Sequence, residues 1–122
     1  MPLVKSFEEL EVWKKGRSLC SRIYLLSRQP LFIRDFALRD QLRRAALSVP
    51  LNIAEGFGRR SRPEFRRFLK IAHGSLAEVQ SCLYIALDLG YMEKEDFTLL
   101  YDETDHLSRM ISKLIQYLES SN

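Results

Sequence analysis

The chain has 122 residues, with 19 Lys or Arg against 16 Asp or Glu and a formal net charge of +3. A chain of this length buries enough surface to fold alone, so we expect a single domain over residues 1–122. No stretch approaches the eighteen or more apolar residues that span a bilayer, and the first residues lack the apolar run of a signal peptide. We therefore expect a cytoplasmic protein with no membrane partner.

Four segments with helical periodicity cover nearly all of the chain. Apolar residues recur at steps of three and four over residues 7–28, 35–57, 62–89 and 93–119. Gly16 lies inside the first segment, which indicates that a neighbouring helix passes close to it. Gly90 follows the third segment and suits a left-handed helix cap. Because the connections are short, the pattern predicts an all-α fold, an antiparallel up-down-up-down four-helix bundle.

The second segment contains a proline, Pro50, in its middle. A proline there lacks a backbone donor and clashes with an earlier carbonyl, so we expect a Pro-kinked second helix, at a cost of about 3 kcal/mol unless packing offsets it. Two polar residues, Asn52 and Glu55, interrupt the apolar run that follows. We expect them to hold the groups that Pro50 releases and to fix the register between helices or subunits. Direct contact with a ligand is the alternative.

A second apolar patch lies on the same segment. The core stripe of this segment, at steps of three and four residues, consists of Leu38, Leu42, Ala45, Val49, Ile53 and Gly56. Leu47, Leu51 and Ala54 fall well away from that stripe when residues are placed 100° apart. Either neighbouring helices or another subunit must cover such a patch. In the third segment Gly74 and Ser81 form a row of small residues that would admit another helix. We therefore predict an oligomer interface at these five residues.

Positive charge is concentrated where the second segment connects to the third. Ser61 and Glu64 have the spacing of a capping box, and Pro63 suits the first turn of a helix. Residues 59–70 carry six cations and one carboxylate. We call the cations the basic cluster: Arg59, Arg60, Arg62, Arg66, Arg67 and Lys70. The cluster is either a solvated helix junction or a nucleic-acid-binding surface, with Arg39 and Arg43 as secondary phosphate contacts.

The sequence offers no recognisable catalytic set. His73 and His106 lie in different segments, and only His106 has a glutamate three residues before it, so the paired Glu-x-x-His motifs of a di-metal bundle are missing. We expect His73 to be a boundary residue with a hydrogen-bond partner. Cys20 and Cys82 fall among apolar residues, where reduced thiols pack as small hydrophobes. We expect no enzymatic activity, no cofactor and no metal.

Three stretches of the chain resemble a known family: residues 44–56, 65–78 and 89–91, with Ser-Val-Pro-Leu-Asn-Ile-Ala-Glu-Gly over residues 48–56. They are similar to bacterial four-helix-bundle proteins encoded in intervening sequences of 23S ribosomal RNA genes. That family also includes the accessory variability determinant of diversity-generating retroelements. The resemblance implies a homopentameric ring whose basic surface engages nucleic acid. For the retroelement member it implies binding to the reverse transcriptase and its RNA.

Two functions follow from these patterns. The first is a non-enzymatic, homo-oligomeric nucleic-acid-binding protein that contacts structured RNA or RNA/DNA hybrids through their phosphates. The second is a scaffold whose basic face docks an acidic protein partner, such as a polymerase or reverse transcriptase. Nucleic acid that copurifies with the protein would favour the first.

Overall fold

A computed structural model describes residues 4–120, and every regular element in that range is helical. After a 3-10 turn at Phe7–Glu9 come α1 (Glu11–Leu26), the short α2 (Pro30–Ile33), α3 (Phe36–Gly58), α4 (Arg62–Asp88) and α5 (Lys94–Ser120). The all-α class and the four long helices are thus confirmed. Over the described range, none of the helices is both long enough and apolar enough to cross a membrane.

The predicted first helix, residues 7–28, is divided in the structure. Leu10 has an extended backbone (φ −75°, ψ 126°) and separates the 3-10 turn from α1. The turn thereby contacts α3 as well as α1. The helix α2 was not predicted, because residues 30–33 lie between the first and second helical segments. The fixed φ of proline also suits a first helical turn, and the buried Phe32 holds α2 against the bundle.

The four long helices pack in a closed order. α1 contacts α3, α3 contacts α4, α4 contacts α5, and α5 returns to α1 through a smaller contact. At the first of these contacts, a Cβ atom on Gly16 would lie 3.3 Å from Cγ1 of Val49 and 3.6 Å from Cδ of Pro50. The predicted close approach at Gly16 is therefore confirmed. The helix α3 continues through Pro50, whose ring is buried at this contact.

Helices α3 and α4 make the most extensive contact of the bundle. Near the end of α3, a Cβ atom on Gly56 would lie 2.6 Å from Cβ of Phe68, near the start of α4. Midway along both helices, the Ser75 hydroxyl donates to Oγ of Ser48 at 2.8 Å. The connection between α3 and α4 consequently closes one end of the bundle, and this is where the basic cluster lies.

The core runs through the middle of the bundle and takes side chains from every helix. Burying one such aliphatic or aromatic side chain contributes about 1.5–3 kcal/mol. Of the predicted core stripe in the second segment, Leu42, Val49 and Ile53 are fully buried. The other large fully buried apolar side chains are Ile23, Phe32, Leu69, Leu76, Val79, Leu83, Leu107 and Ile111.

Candidate nucleic-acid interface

The connection between α3 and α4 consists of three residues with three different backbone conformations. Arg59 is helical, Arg60 has a φ of 57° in the left-handed region, and Ser61 is extended. The left-handed region costs a residue with a Cβ atom about 1–2 kcal/mol, and glycine or asparagine is usual there. The chain therefore turns into α4 on a strained arginine. Gly90, in contrast, has the positive φ of 75° that its position predicted.

The predicted capping box is half formed. The Ser61 hydroxyl oxygen accepts the backbone N–H of Glu64 at 3.3 Å. The Glu64 carboxylate instead accepts two hydrogen bonds from Arg67, at 3.0 and 3.1 Å, and lies 4.0 Å from Nη1 of Arg59. The hydrogen bond from Arg67 and the charges of both arginines lower the pKa of Glu64, although burial acts in the opposite direction. Glu64 is consequently held as a carboxylate among the cations.

Contacts with α5 place the later cations of the basic cluster at the same end of the bundle. Nη1 of Arg66 donates to the carbonyl oxygen of Leu118 at 3.2 Å. Nζ of Lys70 lies 3.3 Å from a carboxylate oxygen of Glu119. The end of α3, the start of α4 and the end of α5 thus share one surface, and all six cations of the basic cluster lie on it.

Carboxylates pair with part of this charge. Oε2 of Glu55 lies 2.8 Å from Nη2 of Arg59. Glu64 pairs with Arg67, and Glu119 pairs with Lys70. Six cations therefore face three carboxylates, which leaves a net charge of +3. Because these side chains are solvent-exposed, the pairs contribute little to stability. An incoming phosphate group can compete for the same guanidinium and ammonium donors.

Aromatic rings underlie four of the five guanidinium groups in the basic cluster. A guanidinium over a ring is attracted to the ring face, and this attraction helps to hold the side chain in place. The distances from Cζ to the ring centroid are 5.2 and 4.5 Å for Arg59 and Arg67 over Phe68, 5.3 Å for Arg60 over Phe57 and 5.4 Å for Arg62 over Tyr117. Sequence reasoning missed these rings. The spacing of Phe57 and Arg60, three residues apart, was the available signal.

A small cleft of about 210 Å³ opens beside the connection. Its rim holds Arg60, Ser61 and Arg62. Its apolar floor combines residues from four parts of the chain: Val4, Phe57, Phe65 and Leu118. The cleft thus joins an apolar surface to two exposed guanidinium groups.

Arg39 and Arg43 lie at the other end of the bundle. Nε of Arg43 donates to the Ser27 hydroxyl oxygen at 2.8 Å. Arg39 donates to Asp40 at 2.9 Å and to the carbonyl oxygen of Ile33 at 3.0 Å. The sixteen residues from Arg43 to Arg59 correspond to about 24 Å of helix. The structure therefore does not bring these two arginines together with the basic cluster.

The five residues of the predicted oligomer interface lie on the outer surface of α3 and α4. The side chains of Leu51 and Leu47 are 62% and 39% exposed, and Ala54 is half-buried. Gly74 and Ser81 are exposed, and no atom lies within 4 Å of a Cβ atom built on Gly74. Ile71, 42% exposed, extends the patch and was missed in the sequence. We call the set the outer α3/α4 face: Leu47, Leu51, Ala54, Ile71, Gly74 and Ser81.

Helices within residues 4–120 leave the outer α3/α4 face open. The sequence left two possibilities for this patch, coverage by neighbouring helices or by another subunit. The neighbouring helices within the described residues do not cover it. Asn52 lies beside the face, where its amide donates to the carbonyl and hydroxyl oxygens of Ser48 at 2.7 and 2.8 Å. Because Ser48 also bonds Ser75, Asn52 belongs to a polar contact between α3 and α4. Glu55 instead lies exposed and pairs with Arg59.

The histidine and the two cysteines considered in the sequence contribute to packing and hydrogen bonding within the bundle. The predicted partner of His73 is found in Ser108 on α5, with Oγ 3.0 Å from Nε2. Cys20 and Cys82 are free and buried, as predicted, and burial raises the pKa of both thiols. Over residues 4–120, no group of three or more His, Cys, Asp or Glu side chains is arranged to hold a metal ion.

Comparison with known proteins identifies the family. No curated protein sequence matches the chain. Among solved structures, a protein of unknown function from the S23 ribosomal protein family of Bacteroides thetaiotaomicron has a similar fold, with a TM-score of 0.79. Its sequence is 21% identical, and the match covers 85% of this chain and 97% of that one. The family model for 23S rRNA-intervening sequence proteins matches residues 8–113, so this chain belongs to that family.

Proposed function

We propose that the protein is a non-enzymatic, homo-oligomeric nucleic-acid-binding protein of the cytoplasm, and that it contacts structured RNA or RNA/DNA hybrids through the basic cluster. The observation that carries the proposal is the shared location of six cations at one end of the bundle, four of them ordered over aromatic rings. Phosphates attract such a surface without regard to base sequence. The description of the family names an intervening sequence of 23S rRNA, which makes RNA the first ligand to test.

The outer α3/α4 face supports the oligomeric part of the proposal. On the other side of the bundle, α1 and α5 leave a groove of about 270 Å³ beside Leu25 and Leu99, which are 59% and 55% exposed. Two different surfaces that carry exposed leucines let each copy contact two neighbours through unlike faces, and such contacts close into a ring when the rotation allows it. The proposed assembly is a homopentamer of antiparallel up-down-up-down bundles, each with a kink at Pro50.

The test is fluorescence-anisotropy titration of the nuclease-treated protein with a labelled RNA hairpin, a matched DNA duplex and a matched RNA/DNA hybrid, across a salt series. We expect the logarithm of the binding constant to fall linearly with the logarithm of the salt concentration, with a slope that reports several released counterions. Replacing Arg59, Arg60, Arg66 and Arg67 by Ala should abolish binding. Arg109→Ala together with Lys113→Ala is the control for charge outside the cluster, since it removes two exposed cations of α5.

Absence of binding to all three probes at about 50 mM salt would contradict the proposal and favour the second function, a scaffold that docks an acidic protein. One observation supports that alternative. Three cations of the basic cluster already hold carboxylates, so the surface accepts the groups that an acidic partner would supply. The resemblance to the retroelement accessory protein would make a reverse transcriptase the partner class. An absorbance ratio at 260 and 280 nm typical of pure protein would agree with this alternative.

A further inference from the structure

The cleft beside the connection between α3 and α4 combines two chemistries that a phosphate-binding surface alone does not need. Its floor contains the buried Phe65 and Leu118 and the half-buried Phe57. Its rim carries the guanidinium groups of Arg60 and Arg62. A duplex contacted only through its phosphates would leave this apolar floor unused. A ligand with a flat apolar body and an attached anion would use both parts.

The size of the cleft limits what it can hold. Its volume of about 210 Å³ lies below the roughly 300–1,000 Å³ of pockets that enclose drug-sized ligands. A single planar ring system suits such a space. Unpaired RNA bases are recognised by stacking on aromatic rings or on the plane of an arginine guanidinium. Here Cζ of Arg60 lies 5.3 Å from the ring centroid of Phe57, so one side of the guanidinium is already covered by a ring.

The backbone conformation of Arg60 also supports a binding role for this cleft. Its φ of 57° is a strained conformation for arginine. Glycine or asparagine would adopt this conformation with less strain, yet the position carries an arginine. Part of the side chain is anchored, because Nη2 donates to the carbonyl oxygen of Lys5 at 3.4 Å. Strain kept at a surface position is a feature of binding sites, where the strained side chain has a function.

We infer that this cleft binds one unpaired nucleotide of an RNA strand, with the base stacked on the side of the Arg60 guanidinium that Phe57 does not cover and the adjoining phosphate on Arg60 and Arg62. The inference rests on the proposed function and specifies its ligand. The basic cluster contacts the duplex portion through phosphates, and the cleft takes a nucleotide from an end, a bulge or a loop. The protein therefore prefers structured RNA with an unpaired nucleotide to a fully paired helix of the same length.

Four labelled RNA duplexes, each annealed from two strands so that none has a loop, test this inference by fluorescence anisotropy. One is blunt, one has three unpaired nucleotides at a 3′ end, one has them at a 5′ end, and one carries an abasic overhang with the same phosphates. Stacking of one base strengthens binding by about fivefold or more. We expect this gain over the blunt duplex for at least one overhang. The abasic overhang should lose it, because it keeps the charge and lacks the base.

Two substitutions at Arg60 distinguish the effect of the planar guanidinium group on binding from the effect of its positive charge. Arg60→Lys keeps the charge and the left-handed strain, so we expect an unchanged salt slope and loss of the overhang preference. Arg60→Asn relieves the strain, so it should melt no lower than the wild type while losing the preference and lowering the slope by about one. Arg109→Ala, an exposed arginine of α5, should keep both properties.

The possible results distinguish the two claims. Equal affinity for the blunt and overhang duplexes would overturn the inference and leave the proposed function standing. Equal affinity for the abasic and normal overhangs would also overturn it, because phosphates alone would then explain the gain. No binding to any of these duplexes would overturn the inference, and no binding to the RNA/DNA hybrid as well would overturn the proposed function.

Discussion

The Tyr91 hydroxyl donates to Oδ2 of Asp35 at 2.9 Å, while Oδ1 of the same carboxylate accepts the backbone N–H of Leu38 at 3.1 Å. One carboxylate therefore caps α3 and also ties the connection between α4 and α5 to the start of α3. The ring of Tyr91 extends this contact, because its centroid lies 5.2 Å from that of the buried Phe32 in α2. Three elements meet at this end of the bundle, opposite the basic cluster.

The hydrogen bond between Tyr91 and Asp35 predicts a pH dependence of stability. The bond to Asp35, together with burial and the carboxylate charge, raises the pKa of Tyr91 above its ordinary value. The folded state thus favours the protonated phenol. The resulting stability is complete below about pH 10 and is lost as the pH rises through the raised pKa. In urea denaturation between pH 7 and pH 11, Tyr91→Phe should be less stable than the wild type at pH 7 and should converge with it above pH 10.

A second tyrosine provides the control for general alkaline effects. The Tyr24 ring packs beneath Arg43, and Tyr24→Phe should leave the alkaline difference intact. If the wild type and Tyr91→Phe lost stability in parallel over the whole pH range, the hydrogen bond would not be the cause. Asp35→Ala should be more damaging than Tyr91→Phe, because it also removes the cap of α3, which is worth about 0.5–2 kcal/mol.

Gly56 and Gly74 form a matched pair for the packing of α3 against α4. A Cβ atom on Gly56 would lie 2.6 Å from Cβ of Phe68, so Gly56→Ala should lower the free energy of unfolding by about 1–3 kcal/mol. Gly74 has no neighbour within 4 Å of the corresponding position, so Gly74→Ala should raise subunit stability by up to about 1 kcal/mol through helix propensity. Chemical denaturation of both variants, each combined with Leu51→Glu to dissociate the proposed assembly, measures the contrast within the subunit. Equal effects would mean that the helix contact tolerates a methyl group at Gly56.

Leu51 tests whether the outer α3/α4 face is a subunit contact. Leu51→Glu places a charge on the most exposed leucine of that face, so we expect the assembly mass to fall toward the 14.3 kDa of one chain. Helicity measured by circular dichroism should remain, because the side chain does not belong to the core. Leu31→Glu is the matched control, since Leu31 in α2 is 59% exposed and lies outside the face. Light scattering after size exclusion measures the masses. An unchanged mass for Leu51→Glu would remove Leu51 from the interface.

Pro50 tests the role of the proposed kink. Pro50→Ala restores a backbone donor and removes the clash with the Ala46 carbonyl, but it also removes a buried ring that packs near Gly16. We expect the free energy of unfolding of the dissociated Leu51→Glu subunit to rise by about 1–2 kcal/mol. In the wild-type background we expect a changed assembly mass or a changed dissociation midpoint on dilution. If neither stability nor assembly changed, the proline would be incidental to both.

Local patterns in the sequence determined much of the fold. Steps of three and four residues identified the core stripe of α3, and Ser61 and Gly90 marked helix boundaries, because periodicity and capping involve residues close in the chain. The charge of the basic cluster could also be counted in the sequence. The extended Leu10 and the helix α2 could not be predicted in this way. Their conformations follow from what Leu10 and Phe32 bury against distant helices.

The site depended more on tertiary structure than the fold did. The sequence determined which cations the connection carries, and it grouped Arg39 and Arg43 with them. Only the packed bundle decided that Glu64 bonds Arg67 and that the cleft forms where the N-terminal segment, α3, α4 and α5 meet. The helix α3 holds Arg43 about 24 Å and Arg39 about 30 Å from Arg59 along its axis. The physical reason is that a helix separates its two ends along its axis, while packing joins residues from distant parts of the chain. Neither relation can be read from local spacing.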